Sequence, residues 1–292
     1  MFDTKNALIE KLKTNQEKLN DDEHIGEDGL PYCKTCGGAR YFCVNDEKGI
    51  YMRTIWCKHR KEEQQRAEEE EARRKRIEEF NARQESSLIG KRYKNIRFND
   101  ARITEHNREA YEKCKRYLEQ SEAMLKENIG LYIHGENSTG KTYLTACLCN
   151  ELVWQRWRCV YTNLATILSQ IRGTYGSRGG SENSILQRLQ NYDFVFIDDL
   201  GKEFIGRDYN PASSKWAEEK FFEIINARYN ANAPIIFSSN YTIAELESVL
   251  GFDKAIVERI NEMATRVIKL TGDDFRQTAR ASKSTLAKKY GI

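Results

Sequence analysis

Residues 135–142 read Gly-Glu-Asn-Ser-Thr-Gly-Lys-Thr, a G-x-x-x-x-G-K-[ST] string whose residue types suit a triphosphate. Gly135 and Gly140 let the backbone turn its N–H groups toward phosphate oxygens. Lys141 brings a point charge to the β/γ-phosphates, and Thr142 offers a hydroxyl to Mg²⁺. Gly135, Asn137, Ser138, Thr139, Gly140, Lys141, Thr142 and Tyr143 are therefore the expected ATP contacts. A second group of chemistry-bearing residues ends the apolar run Phe194-Val-Phe-Ile-Asp198-Asp199. Two carboxylates at the C-terminal end of a strand lie where ligands bind in open α/β sheets. Asp198 is expected to hold Mg²⁺ through water, and Asp199 to orient or deprotonate the attacking water. Pro234-Ile-Ile-Phe-Ser-Ser-Asn240 places an amide at another strand end, level with the aspartates if the strands are adjacent. Asn240 either reports the γ-phosphate or caps the following helix, although Thr242 in Thr-Ile-Ala-Glu245 serves the cap better.

The eight cysteines divide into two sets. Cys33 and Cys36 form a C-x-x-C pair, and Cys57 with His59 forms a second pair after two strand-like runs that flank Asn-Asp-Glu-Lys-Gly. A hairpin there would bring both pairs together around tetrahedral Zn²⁺ and hold a fragment too small to build its own core. Cys33, Cys36, Cys57 and His59 are the expected ligands, with Cys43 the reserve for His59. Cys114, Cys147, Cys149 and Cys159 fall in helical or strand patterns and read as small core hydrophobes.

The elements that must position these groups follow from pattern. Residues 130–134, 159–163, 193–198 and 234–239 read as strands alternating with helices, which argues for an α/β fold with a parallel sheet wrapped by helices. Residues 1–25 read as an amphipathic helix, and residues 61–81 as a Glu- and Arg-rich helix with too few apolar positions to pack a core on two sides. The expected organisation is an N-terminal helix and zinc module over 1–60, a charged helical linker over 61–90 and a nucleotide-binding domain over 91–292. Length permits this, at 292 residues. A formal net charge of +3 means that nucleic-acid binding has to come from a local patch rather than bulk charge. No apolar run approaches the roughly 18 residues of a membrane span, and the N-terminus lacks a secretory apolar core, so a cytoplasmic protein without membrane contact is expected.

Taken together, the phosphate loop, the Asp198-Asp199-Leu-Gly strand, Ser-Ser-Asn240, Arg259 and Phe-Arg276 resemble the DnaC/DnaI-type helicase loaders of the AAA+ ATPases, with the IstB-type transposition ATPases as close cousins. The resemblance covers about residues 90–280. It implies ATP hydrolysis in subunits that assemble into an open homo-oligomeric spiral on single-stranded DNA, behind an N-terminal region that binds the hexameric replicative helicase. It also implies residue roles. Lys141 and Thr142 contact nucleotide and metal, Asp198 is the metal-side carboxylate and Asp199 the catalytic one. Asn240 is the first sensor, Arg259 a finger acting on the neighbouring subunit, and Arg276 the second sensor. The family often has Glu where Asp199 stands. Zinc modules ahead of the ATPase core fit its Gram-positive and phage members. The stretch Arg172-Gly-Thr-Tyr175-Gly-Ser-Arg178 corresponds to residues facing the DNA channel, a ring for stacking and two cations for phosphates, and Lys215-Trp216 is a second candidate.

Overall fold

Short strands stapled by a buried arginine make up the first part of the chain. The computed structural model describes residues 22–27, 30–46, 49–175, 181–202, 211–272 and 274–275. They fall into two units, Met1–Glu78 and Glu79–Ile292. In the first, β1 (Glu23–Ile25) pairs antiparallel with β2 (Pro31–Cys33), and β3 (Tyr41–Asp46) pairs antiparallel with β4 (Gly49–Thr54). The second pair is the hairpin expected around Asn-Asp-Glu-Lys-Gly. The end of the expected N-terminal helix is instead strand β1, and residues 1–21 lie outside the described residues. The reason is non-local. Glu23 is 5% exposed, and its carboxylate faces both Arg40, fully buried at 3.7 Å, and Arg60 at 3.4 Å. Arg40 also donates to Asp22. A buried guanidinium needs these carboxylates, and that requirement overrides a local helical pattern.

The polar stretch forms one helix, α1 (Lys58–Ser86), which starts directly after Cys57 and runs across the boundary between the units rather than stopping short of it. At 29 residues it is about 43 Å long, and Gln84 is its one buried residue among those described. Ion pairs one turn apart, such as Glu71–Lys75 at 2.7 Å, support a helix that buries so little.

The second unit adds α2 (Arg108–Glu119), α3 (Ser121–Lys126), β5 (Leu131–His134), α4 (Lys141–Trp154), β6 (Cys159–Asn163), α5 (Leu164–Thr174), α6 (Glu182–Gln190), β7 (Phe194–Leu200), α7 (Pro211–Asn230), β8 (Ile235–Ser239), α8 (Ile243–Ser248), α9 (Lys254–Met263) and β9 (Arg266–Lys269). The five strands form one parallel sheet in the order β6-β7-β8-β5-β9. Alternate residues serve opposite faces. Tyr132, Val195, Ile197, Ile235 and Phe237 pack with α5 to α9, whereas Leu131, Ile133, Phe194, Phe196 and Ile236 pack with α2 and α4. Burial on both faces explains the continuous apolar runs seen in the sequence. Cys114, Cys147, Cys149 and Cys159 are all within this core, none more than 2% exposed.

The entry ends of three strands are fastened by charge. Arg228, fully buried on α7, donates to the carbonyls of Leu189, Tyr192, Asp193 and Pro234, and so joins the residues leading into β7 and β8. Desolvation lowers its pKa to about 10. Asp193 in turn accepts from the Arg158 backbone N–H at 2.7 Å and its guanidinium at 2.8 Å, tying in β6. Arg228→Met should therefore lower the stability of the second unit by about 3 kcal/mol or more, because several buried carbonyls lose their donor at once. Urea denaturation followed by circular dichroism checks this, and a change below about 1 kcal/mol would contradict the assigned role.

Candidate functional site

β5 lies between β8 and β9, and the chain leaves its C-terminal end for the phosphate loop before crossing over to β6 two strands beyond β8. Sheets of this kind bind ligands in the crevice at such a change of direction. Backbone contact shapes the loop. A Cβ at Gly135 would lie 2.0 Å from the Leu270 carbonyl oxygen, so only glycine fits beside the segment after β9. Gly140 has φ +95° and Ser138 φ +67°, both left-handed. Leu270 N–H donates to His134 O at 2.7 Å and Phe275 N–H to Ser138 O at 3.2 Å, so residues after β9 brace the loop from outside. Thr139 donates its hydroxyl to Glu136 O at 2.9 Å. Lys141, only 5% exposed, donates to Gly135 O at 2.9 Å and Glu136 O at 2.7 Å.

The aspartates stand across the crevice. The β7–β8 register slips between Ile197 and Leu200, which frees Asp198 and Asp199 from regular pairing with β8. Asp198 Oδ1 accepts from Ser238 Oγ and lies 3.4 Å from Thr142 Oγ1. Burial pushes the Asp198 carboxyl up, opposed by the Ser238 hydroxyl and reinforced by the charge of Asp199. Asp199 adopts φ +56°, its N–H donates to Ser238 Oγ at 3.0 Å, and its Oδ2 lies 2.5 Å from Lys202 Nζ. A hydroxyl beside a carboxylate is a donor set suited to a hard cation such as Mg²⁺. Tyr161, behind them, shares a 2.7 Å hydrogen bond with Thr145 Oγ1 and donates to Thr142 O at 3.3 Å. Burial holds its phenol well above the usual range, with the Asp198 charge adding to the effect.

A cavity of 710 Å³ lies over this arrangement, with Asn137, Ser138, Gly140, Lys141, Thr142, Tyr143, Asp199 and Asn240 in its lining. Thr142, Asp198, Asp199 and the loop are thus brought together, with Asn240 at the strand end beside them. Thr242, not Asn240, caps α8, in a capping box with Glu245. Arg259 sits elsewhere on α9, its guanidinium 3.8 Å over the Tyr229 ring and 3.7 Å from Glu262. Arg276 lies outside the described residues. Arg92, Tyr93, Ile96, Asp100, Arg102 and Tyr111 complete the wall away from the phosphate loop. They come from an irregular segment and the start of α2, where no motif marks them.

The model of the IstB-like ATP binding protein family matches residues 58–283. The chain belongs to this family. Among curated relatives it is 27% identical over 161 residues to the replicative helicase loader DnaC of Escherichia coli K12, covering 54% of this chain and 61% of that protein. To the phage-like element PBSX protein XkdC of Bacillus subtilis it is 29% identical over 162 residues, covering 54% of this chain and 56% of that one. The chain thus matches somewhat over half the length of these relatives. Its fold is that of crystal structures of DnaI (TM-score 0.51, 24% identity, 66% of this chain, 98% of that chain) and the DnaC helicase loader (TM-score 0.51, 22% identity, 62% of this chain, 100% of that chain). It also matches the replication initiator DnaA bound to AMPPCP and single-stranded DNA (TM-score 0.51, 22% identity, 64% of this chain, 52% of that chain). The second unit therefore has the fold of the DnaI and DnaC helicase-loader structures, in a chain of the IstB-like ATP binding protein family. No helix among the described residues is long and apolar enough to cross a membrane.

Cys33, Cys36 and Cys57 lie outside the family match, and His59 just inside it. The Sγ atoms of Cys33, Cys36 and Cys57 are all within 4.8 Å of one another, a cluster able to bind a metal ion. Hydrogen bonding draws the Cys33 thiol down to about 6, led by the Cys36 backbone N–H and opposed by burial. Cys36 shifts up: the Gly38 N–H favours its thiolate, but the thiols of Cys57 and Cys33 outweigh that. A thiolate at Cys33 is the form that ligates metal. His59 does not join this mutual cluster, yet its Nδ1 is buried with no hydrogen-bond partner among the described residues. An orphaned ring nitrogen two residues from a ligand cysteine fits a fourth donor to Zn²⁺. Cys43 lies in β3 opposite Met52. Atomic absorption should find one zinc per wild-type chain, none in Cys36→Ser and a reduced content in His59→Ala. Full zinc in Cys36→Ser would remove the cysteines as ligands.

Proposed function

We propose that this chain is an ATP-hydrolysing helicase loader, which binds a replicative helicase through its N-terminal region and helps place it on single-stranded DNA during replication initiation. The observation that carries the reading is the placement of Lys141, Thr142 and Asp199 around one cavity, with Asp198 3.4 Å from Thr142, in a chain whose relatives include DnaC loaders. The loop N–H groups and Lys141 hold the triphosphate, and the N-terminus of α4 faces it. Thr142 and Asp198 would hold Mg²⁺, which would supply positive charge to offset that of the phosphates. Asp199 orients the attacking water and takes its proton, and Asn240 positions that water against the γ-phosphate. Asp199, with its left-handed backbone, lines the cavity beside Lys202. Arg259 and Arg276 act as the finger on a neighbouring subunit and the second sensor, in a homo-oligomeric spiral.

For DNA, the two candidate stretches support one surface. The Arg172 guanidinium sits 4.4 Å over the Trp216 ring, and Tyr175, 53% exposed, meets that ring edge-on at 6.4 Å. Such a cluster offers π-faces to unpaired bases at roughly 1–3 kcal/mol per stacked base. Arg178 lies outside the described residues.

A second reading is an IstB-like transposition helper, which is compatible with the match to the IstB-like ATP binding protein family. Partner binding separates the two. On size-exclusion chromatography the full chain with ATP should co-elute with a purified replicative helicase, and failure to do so in either ATP or ADP would favour the transposition reading. Asp199→Asn should keep ATP binding while lowering turnover about 10²-fold, read as phosphate release. Undiminished turnover would remove Asp199 as the base.

A further inference from the structure

The cavity wall away from the phosphate loop belongs to no strand, and apart from Tyr111 on α2 its residues lie in or beside short turns over 91–93 and 98–100. What fixes it is a pair of buried amides. Asn150 on α4, 3% exposed, donates through Nδ2 to Tyr93 O at 2.8 Å and to Ile96 O at 2.9 Å. Its Oδ1 accepts from Gln84 Nε2 at 3.1 Å. Gln84, 5% exposed in the last turn of α1, also donates to Lys94 O. The next residue of α4 adds a second tie, since Glu151 takes Arg97 in two hydrogen bonds of 2.8 and 2.7 Å. Arg97 also lies 5.0 Å over the Trp154 ring.

α4 therefore holds both ends of the cavity. Its first residue is Lys141, and Asn150 follows about 13 Å along the helix axis. With phosphates at the N-terminus, the wall that Asn150 fixes is left to meet the base and ribose. We propose that Asn150 and Gln84 are positioning residues for nucleotide recognition: they set the base-and-ribose wall at a fixed distance from the phosphate loop and couple that wall to the last turn of α1. The chemistry requires amides at both positions. A carboxylate at 150 would face two carbonyl oxygens with nothing to donate, and residue 84 needs donors for Lys94 O and Asn150 Oδ1 together. Coupling of this kind is reciprocal: nucleotide in the cavity steadies the end of α1, and displacement of that turn weakens nucleotide binding.

This inference rests on the nucleotide reading, and the test keeps the two apart. Isothermal titration of the full chain compares Mg-ATP, which touches wall and loop, with inorganic tripolyphosphate, which touches the loop alone. Asn150→Asp should weaken ATP about tenfold, the loss of one to two hydrogen bonds, and leave tripolyphosphate affinity unchanged. Gln84→Met, which is close in size and shape, should move ATP in the same direction by less. Hydrogen exchange should show ATP slowing amides 82–86 in the wild type and no longer doing so in Gln84→Met. Equal losses for both ligands, no loss in either variant, or ATP-independent exchange at 82–86 would overturn the inference alone. A wild type that binds neither ligand would overturn the nucleotide reading and this inference with it.

Discussion

A buried ammonium is the constraint on which the site depends. Lys141 sits 5% exposed against the carbonyls of its own loop. Taking a charge out of water is costly unless partners surround it, so the loop has to keep its carbonyls turned toward this one ammonium. The sequence around the lysine serves this one placement: Gly135 admits the Leu270 carbonyl, Gly140 and Ser138 accept left-handed backbone, and α4 begins with its N–H groups turned toward the loop.

Rigidity and strain are divided between the two ends of the sheet. At the entry ends of β6, β7 and β8, Arg158, Asp193 and Arg228 tie backbone to backbone through charge-assisted hydrogen bonds. At the exit ends the β7–β8 register slips and Asp199 takes a left-handed conformation. Strained residues persist where surrounding structure fixes them, and here Ser238, fully buried, holds both aspartates by accepting from one backbone N–H and donating to the other carboxylate.

Much of this was legible in the sequence because it depends on local pattern. The four expected strands recur at 131–134, 159–163, 194–200 and 235–239, and the capping box at Thr242 is in place. The fifth strand, β9, was not legible: it has four residues with only Ile268 buried, so its pairing with β5 comes from the sheet and not from periodicity. The helical reading of residues 1–25 fails at 23–25 because Arg40 recruits Glu23 from a distance. The same limit hid the far wall of the cavity. Nothing in the types or spacing of Arg92, Tyr93 and Ile96 marks them, since they are brought in by Asn150 and Gln84, residues that read as ordinary helix positions.

The central claim is that a nucleoside triphosphate binds between the glycine turn and the paired aspartates. Equilibrium titration of the purified full chain with ATP and Mg²⁺, beside the Lys141→Ala variant, tests it most directly. One ATP per wild-type chain and none in the variant is the expected result. Equal affinity in both proteins, or no binding by the wild type at any Mg²⁺ concentration, would contradict it.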